Sequence, residues 1–231
     1  MISDKEIKKK YSRIAEEYDK TRFGDLGGKI LSSKQQKVLL GYLKEIPKNA
    51  KILEVGCGTG RFLEFLEKNG YKNLYGIDSS KEMMNIAKKR TRARLIKGDA
   101  YKLPFSKNSF DIVFSIHVLM HLSNPKKAIA EMLRVSKNRI IFDITNKNSA
   151  SYLLSKILKK YKPRFSSISD VKKMIPKSYE IIFRPTYMFP IKGYFSPVYY
   201  TLILPAEKLA YLLQLKRFAS QLFIEIKKTS H

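Results

Sequence analysis

The chain has 231 residues, 44% of them hydrophobic, which suits one α/β domain with a substantial core and argues against global disorder. Its formal net charge is +26, and residues 147–231 alone carry 16 Lys/Arg against 4 Asp/Glu, a field that attracts polyanions such as RNA or an anionic membrane face. The start of the chain is charged where a signal peptide is apolar, no apolar run reaches the ~18 residues of a spanning helix, and the single cysteine, Cys57, has no internal disulfide partner. A reduced, cytoplasmic setting is therefore expected, with peripheral contact to a membrane surface as an option for the basic C-terminal third.

In chain order, Glu6 to Tyr18 reads as a short helix, with Ile14, Ala15 and Tyr18 at helical spacing, punctuated by Gly24, Gly27 and Gly28. A second helix is expected over roughly Ile30 to Glu45, leaving at Pro47. Strands at 52–55, 74–77, 94–97, 111–115 and 139–144 then alternate with helices at 60–68, 81–90 and 125–135, the rhythm of a parallel sheet with right-handed crossovers. From Lys147 the rhythm breaks. A helix near 150–161, a loop from Pro163 to Asp170, a strand at 180–184, an aromatic and proline-rich stretch from Tyr187 to Tyr200, and a helix near 205–218 precede a terminal strand, Leu222 to Lys227.

The densest signal is Glu54-Val-Gly-Cys-Gly-Thr-Gly60, directly after the first strand. Gly56, Gly58 and Gly60 let the backbone turn tightly and approach a ligand, with N–H groups at a helix start. A dinucleotide fingerprint would need a small residue at 61, where Arg61 stands. Asp78 closes the second strand, where a carboxylate can accept from both hydroxyls of a ribose, and Ser79 or Ser80 then caps the next helix. Asp99-Ala100 follows the third strand and sets an acceptor beside a backbone donor. Leu103-Pro-Phe-Ser-Lys-Asn-Ser-Phe-Asp-Ile-Val113 leads into the fourth strand, which ends at Ser115.

Taken together, residues 10–145 resemble the class I S-adenosylmethionine (AdoMet)-dependent methyltransferases, in particular those grouped with ubiquinone and menaquinone methyltransferases. The resemblance implies a Rossmann-like seven-stranded, mostly parallel sheet with helices on both faces and a modified C-terminal cap. It implies one domain, with a lid at 1–26, a cofactor-binding core at 27–146 and a substrate region at 147–231. AdoMet would be the cofactor. Gly56, Cys57, Gly58 and Gly60 would cradle its methionine end, with Glu54 near the ammonium and Ser115 in the floor. Asp78 and Ser79 would meet the ribose, and Asp99 and Ala100 the adenine. Tyr11 and Tyr18 match a recurrent lid pattern, Y-x-x-x-A-x-x-Y-D. One departure stands out: Arg134-Val-Ser-Lys-Asn-Arg139 is shorter than the family's glycine-bearing turn before the fifth strand.

His117 and His121 lie four residues apart after the fourth strand, with no third ligand or H-E-x-x-H pattern that would indicate a metal. His117, nearer the strand end, is the expected base or substrate contact, and His121 is expected to satisfy a loop on the substrate side. The aromatic C-terminal third points to a small or lipophilic acceptor, quinone- or lipid-like. The alternative is an RNA acceptor, because Tyr11 to Arg22 also resembles methyltransferases of the tRNA wobble uridine and the charge would suit RNA. A non-catalytic AdoMet-binding partner subunit is the minor alternative.

Overall fold

Continuous apolar runs such as Ile52-Leu53 and Ile112-Val113-Phe114 demand a sheet buried on both faces, and the computed structural model has one. It describes residues 3–149, 152–153, 165–187, 205–206, 209 and 218–228. The strands are β1 (Lys51–Val55), β2 (Asn73–Asp78), β3 (Arg94–Lys97), β4 (Phe110–Ser115), β5 (Ser136–Asn146), β6 (Phe165–Ser166), β7 (Tyr179–Tyr187) and β8 (Gln221–Lys228). Seven form the order β3-β2-β1-β4-β5-β8-β7, and the two-residue β6 pairs alongside β5. Only β8 runs against its neighbours, bonded to β5 on one side and β7 on the other. The expected mostly parallel, Rossmann-like sheet is what the chain forms, and the order reverses between β1 and β4, where such sheets open a crevice at their carboxyl ends.

Helices α3 (Leu26–Leu43) and α4 (Arg61–Lys68) cover one face, packing Leu39, Leu43, Phe62 and Leu63 on Ile52, Phe114, Ile141 and Phe223. Helix α6 (Pro125–Val135) covers the other with Ile129 and Met132 against Val113, Ile140 and Phe142. Helix α5 (Lys81–Arg90) comes between α4 and α6 in the chain, and α7 (Ile168–Met174) follows β6.

The structure departs from the sequence reading at four places. The single N-terminal helix is two, α1 (Asp4–Arg13) and α2 (Ala15–Phe23), broken at Ile14. Helix α3 starts before its glycines rather than after them, because the Asp25 side chain accepts from the Gly28 N–H at 2.7 Å and caps it. The loop expected at 163–170 holds β6 and the start of α7, launched by a reciprocal capping box between Ser167 and Asp170. At 134–139 there is no turn at all: α6 runs directly into β5, and Ser136 folds the joint by donating to Arg139 O (2.8 Å) and accepting from Arg139 N (2.9 Å). The helices expected near 150–161 and 205–218 and the aromatic stretch beyond Tyr187 lie outside the described residues, apart from isolated positions. Among the described residues no helix is long and apolar enough to cross a membrane.

Candidate active site

A cavity of about 780 Å³ opens at the carboxyl ends of β1, β2, β3 and β4, within the ~300–1,000 Å³ usual for small-molecule sites. The glycine loop forms its floor. Gly56 N–H and Cys57 N–H both donate to Ile77 O (2.7 and 3.1 Å), folding the loop back onto β2. Gly56, Gly58 and Gly60 all take left-handed backbone angles, with φ of 74°, 51° and 77°. Gly56 and Gly58 line the cavity. Cys57 and Gly60 do not: the thiol is buried against Gly76, and a Cβ on Gly60 would meet Ala87 of α5. Burial pushes the Cys57 thiol far up, so it serves as a packing group.

Asp78 and the loop hold each other. One carboxylate oxygen of Asp78 accepts from Gly58 N–H and the other from Ser80 N–H, both at 2.8 Å, and the carboxylate keeps acceptor capacity for a ligand donor. Burial raises its pKa. Ser79 lines the cavity, while Ser80 caps α5 through Met83 N–H. Asp99 and Ala100 line the far end, with the Asp99 carboxylate steadied by Tyr101 N–H at 2.9 Å.

Ser115 and Glu54 are not in the cavity wall. Ser115 is fully buried and donates to Val55 O at 2.8 Å, tying β4 to the end of β1 just before the loop. Glu54 is 2% exposed, and its Oε2 has no hydrogen-bond partner among the described residues. Burial holds its carboxyl well above the usual range, an unmet acceptor that a cationic ammonium beside the loop would satisfy. That orphaned oxygen, the Cβ-free space at Gly58 and the carboxylates of Asp78 and Asp99 together fit AdoMet.

Helix α1 lies over this floor. Asp4, at the start of α1, accepts from Ser123 N–H (2.8 Å), Ser123 Oγ–H (2.6 Å) and Tyr101 O–H (2.9 Å), and Ser12 Oγ meets Ser80 Oγ at 2.9 Å. Tyr11 and Tyr18 line the cavity with their rings edge-on at 5.8 Å. Arg22 does not line it, yet its charge reaches both histidines and helps keep them neutral, after burial. The cavity also takes Asp4, Lys5, Ile7 and Lys8 from α1, which the sequence reading passed over. The Ser3–Glu6 capping box was the legible sign that this helix starts at Asp4.

Both histidines line the cavity, in different ways. His117 has a left-handed backbone (φ 62°), held by its N–H donating to Asp143 Oδ1 at 2.7 Å. Its ring is turned into a buried polar cluster. Gln35 Nε2 of α3 lies 2.6 Å from Nε2, and Asp143 Oδ2 of β5 lies 3.4 Å from Nδ1. A neutral Nδ1–H tautomer satisfies both. Gln221 of β8 donates to Asp143 and accepts from Gln35 at 3.1 Å. The expected base thus has both nitrogens engaged inside the protein. Burial, with Arg22 and Arg61 nearby, keeps it neutral. His121 instead meets Tyr11 O–H at 3.0 Å through Nε2, across the gap between lid and floor.

Residues 53–142 match the model of the family described as "Methyltransferase domain". Over these residues the chain thus carries a methyltransferase domain of the class I, AdoMet-dependent type. Among its relatives, an uncharacterized protein of Methanocaldococcus jannaschii is 32% identical over 155 residues, 66% of this chain and 57% of that protein. A ubiquinone/menaquinone biosynthesis C-methyltransferase of Campylobacter jejuni is 28% identical over 166 residues, 66% of this chain and 69% of that enzyme. The matches thus span about half to two thirds of these curated relatives. The same methyltransferase fold appears in an AdoMet-dependent methyltransferase of Thermotoga maritima, at 20% identity, a TM-score of 0.69 and coverage of 95% of this chain and 98% of that one.

Proposed function

We propose that the chain transfers a methyl group from AdoMet to a small phenolic acceptor of the quinol type. One observation carries the reading: the cavity that the glycine loop, Asp78 and Asp99 line is roofed by α1, which Asp4 pins to Tyr101 and Ser123. A covered pocket of this size suits a small acceptor beside the cofactor better than a polynucleotide. The Campylobacter jejuni relative, named for C-methylation in quinone biosynthesis, supports the same class. When bound, AdoMet supplies a methyl already activated by its sulfonium, so the chain's share is to bind, orient and exclude water. Gly56 and Gly58 would seat the methionine end, Glu54 the ammonium, Asp78 the ribose and Asp99 with Ala100 the adenine edge.

Calorimetry with S-adenosylhomocysteine (AdoHcy) tests the cofactor reading: wild type should bind at least tenfold tighter than Asp78→Ala. Methylation of a 2-prenyl-1,4-naphthoquinol against bulk tRNA, with isotope-labelled AdoMet, tests the acceptor. Label in tRNA and none in the quinol would replace a small acceptor by RNA, which the net charge of +26 would then serve.

A further inference from the structure

A phenolic acceptor must shed its O–H proton near the methyl group, and the geometry names where that proton goes. His117 is unsuited, because Gln35 and Asp143 face its two ring nitrogens inside the protein. His121 is half-buried in the cavity wall, and its Nε2 lies 3.0 Å from the Tyr11 hydroxyl, which donates to it in the Nδ1–H tautomer. The two rings lie tilted at 60° with centroids 5.5 Å apart, and the Tyr18 ring meets Tyr11 edge-on at 5.8 Å. All three side chains line the cavity, and two of them come from the lid.

Resting on the phenolic-acceptor reading, we propose that Tyr11 and His121 form the proton relay of this site. The acceptor O–H donates to Tyr11 Oη while the Tyr11 proton passes to His121 Nε2. One O–H bond breaks in the acceptor and leaves its electron pair on the oxygen. The Tyr11 O–H re-forms, an N–H bond forms on His121, and no outside base is consumed. Among the described residues, the titratable and charged groups that face His121 include Tyr11 and Lys10 of α1, Arg22 of α2 and His117 after β4. Burial first, then the Arg22 and Lys10 charges, hold the imidazole pKa down to about 4, so it stands neutral at physiological pH and takes the proton only as an ion pair with the phenolate formed beside it. The relay exists only while α1 lies over the site. Proton removal is thereby confined to the closed state.

The test uses the full chain as wild type, Tyr11→Phe and His121→Gln, each saturated with AdoHcy. Tyr11→Phe removes one oxygen atom and keeps the ring, so it reports even where His121→Gln folds poorly. The probe is 4-nitrophenol, whose ionised form is coloured. Wild type should bind it and raise its ionised fraction several-fold over free probe at the same pH, and both variants should abolish the rise while holding AdoHcy within threefold. No binding, or equal ionisation in all three proteins, overturns the relay. The second arm measures single-turnover methylation of the naphthoquinol from pH 6 to 9. Wild type should be nearly flat, whereas the variants should gain roughly tenfold per pH unit as hydroxide takes over. A uniform loss at every pH would make the pair structural and sink the proposal. Wild type that ionises 4-nitrophenol yet never methylates the quinol would refute the quinol and leave the relay standing.

Discussion

Adding one methyl group to the glycine loop separates its structural duty from its binding duty. A Cβ on Gly56 would lie 2.3 Å from Val118 Cγ2, in a backbone with φ of 74°. The left-handed strain costs about 1–2 kcal/mol, and relieving an overlap of that depth against a branched side chain costs about 1–3 kcal/mol more. Gly58 also has a left-handed φ, 51°, but its Cβ would meet nothing within 4 Å and would point into the cavity space. Gly58→Ala should therefore pay only the strain. In urea titrations, Gly56→Ala should fall about 1–3 kcal/mol below Gly58→Ala. Val118→Ala should restore part of that gap in the Gly56→Ala background, as a double-mutant cycle reads. In calorimetry, Gly58→Ala should weaken AdoHcy although it is the more stable of the two variants. Equal stability of the two variants, or no rescue by Val118→Ala, would refute the packing argument.

Three further outcomes are expected. Ser115→Ala leaves the buried Val55 carbonyl without its donor and should cost about 1–3 kcal/mol in denaturant midpoint analysis, with no change in AdoHcy stoichiometry. Asp4→Asn keeps the side chain's size but weakens three hydrogen bonds, so stopped-flow dissociation of AdoHcy should quicken several-fold while the global denaturation midpoint barely moves. His121, at about 4 when folded against 6.5 ordinarily, contributes stability present above pH 6.5 and lost as pH falls through 4. Wild type minus His121→Gln should therefore shrink by up to about 3 kcal/mol between pH 7 and 4. Asp143 works in the opposite sense, because burial lifts it to about 6 and the proton-holding advantage of the folded state fades as pH rises through that value.

Local chemistry made the cofactor half of the site readable from sequence. The loop needs glycine where φ is positive, and Asp78 and Asp99 stand at strand ends that period-2 and period-3.6 patterns locate. The acceptor half depends on contacts between residues far apart in the chain, which periodicity does not encode. His117 looked like a base because it sits at the end of β4. Its ring nitrogens are claimed by Gln35, 82 positions earlier, and by Asp143, which Gln221 of β8 in turn holds. His121 looked like a loop residue, and only the fold of α1 brings Tyr11, 110 positions away, to its Nε2. Cys57 and Gly60 were read as ligand contacts from their place in the motif, yet the turn buries Cys57 against Gly76 and sets Gly60 against Ala87 of α5.

Strand β8 lies between β5 and β7 and carries Gln221 at its first position. Of the sheet strands, β7 precedes it in sequence yet, among the described residues, pairs only with β8. The two halves of the active site are therefore expected to mature at different times during folding. The β1–β4 region, with its short crossovers, can close the glycine loop on Asp78 early, while His117 gains its final support only when β8 docks and Gln221 reaches Asp143. Pulse-labelled hydrogen exchange should show amides of β1 and β2 protected before those of β7 and β8. Simultaneous protection would mean that the whole sheet assembles as one cooperative unit.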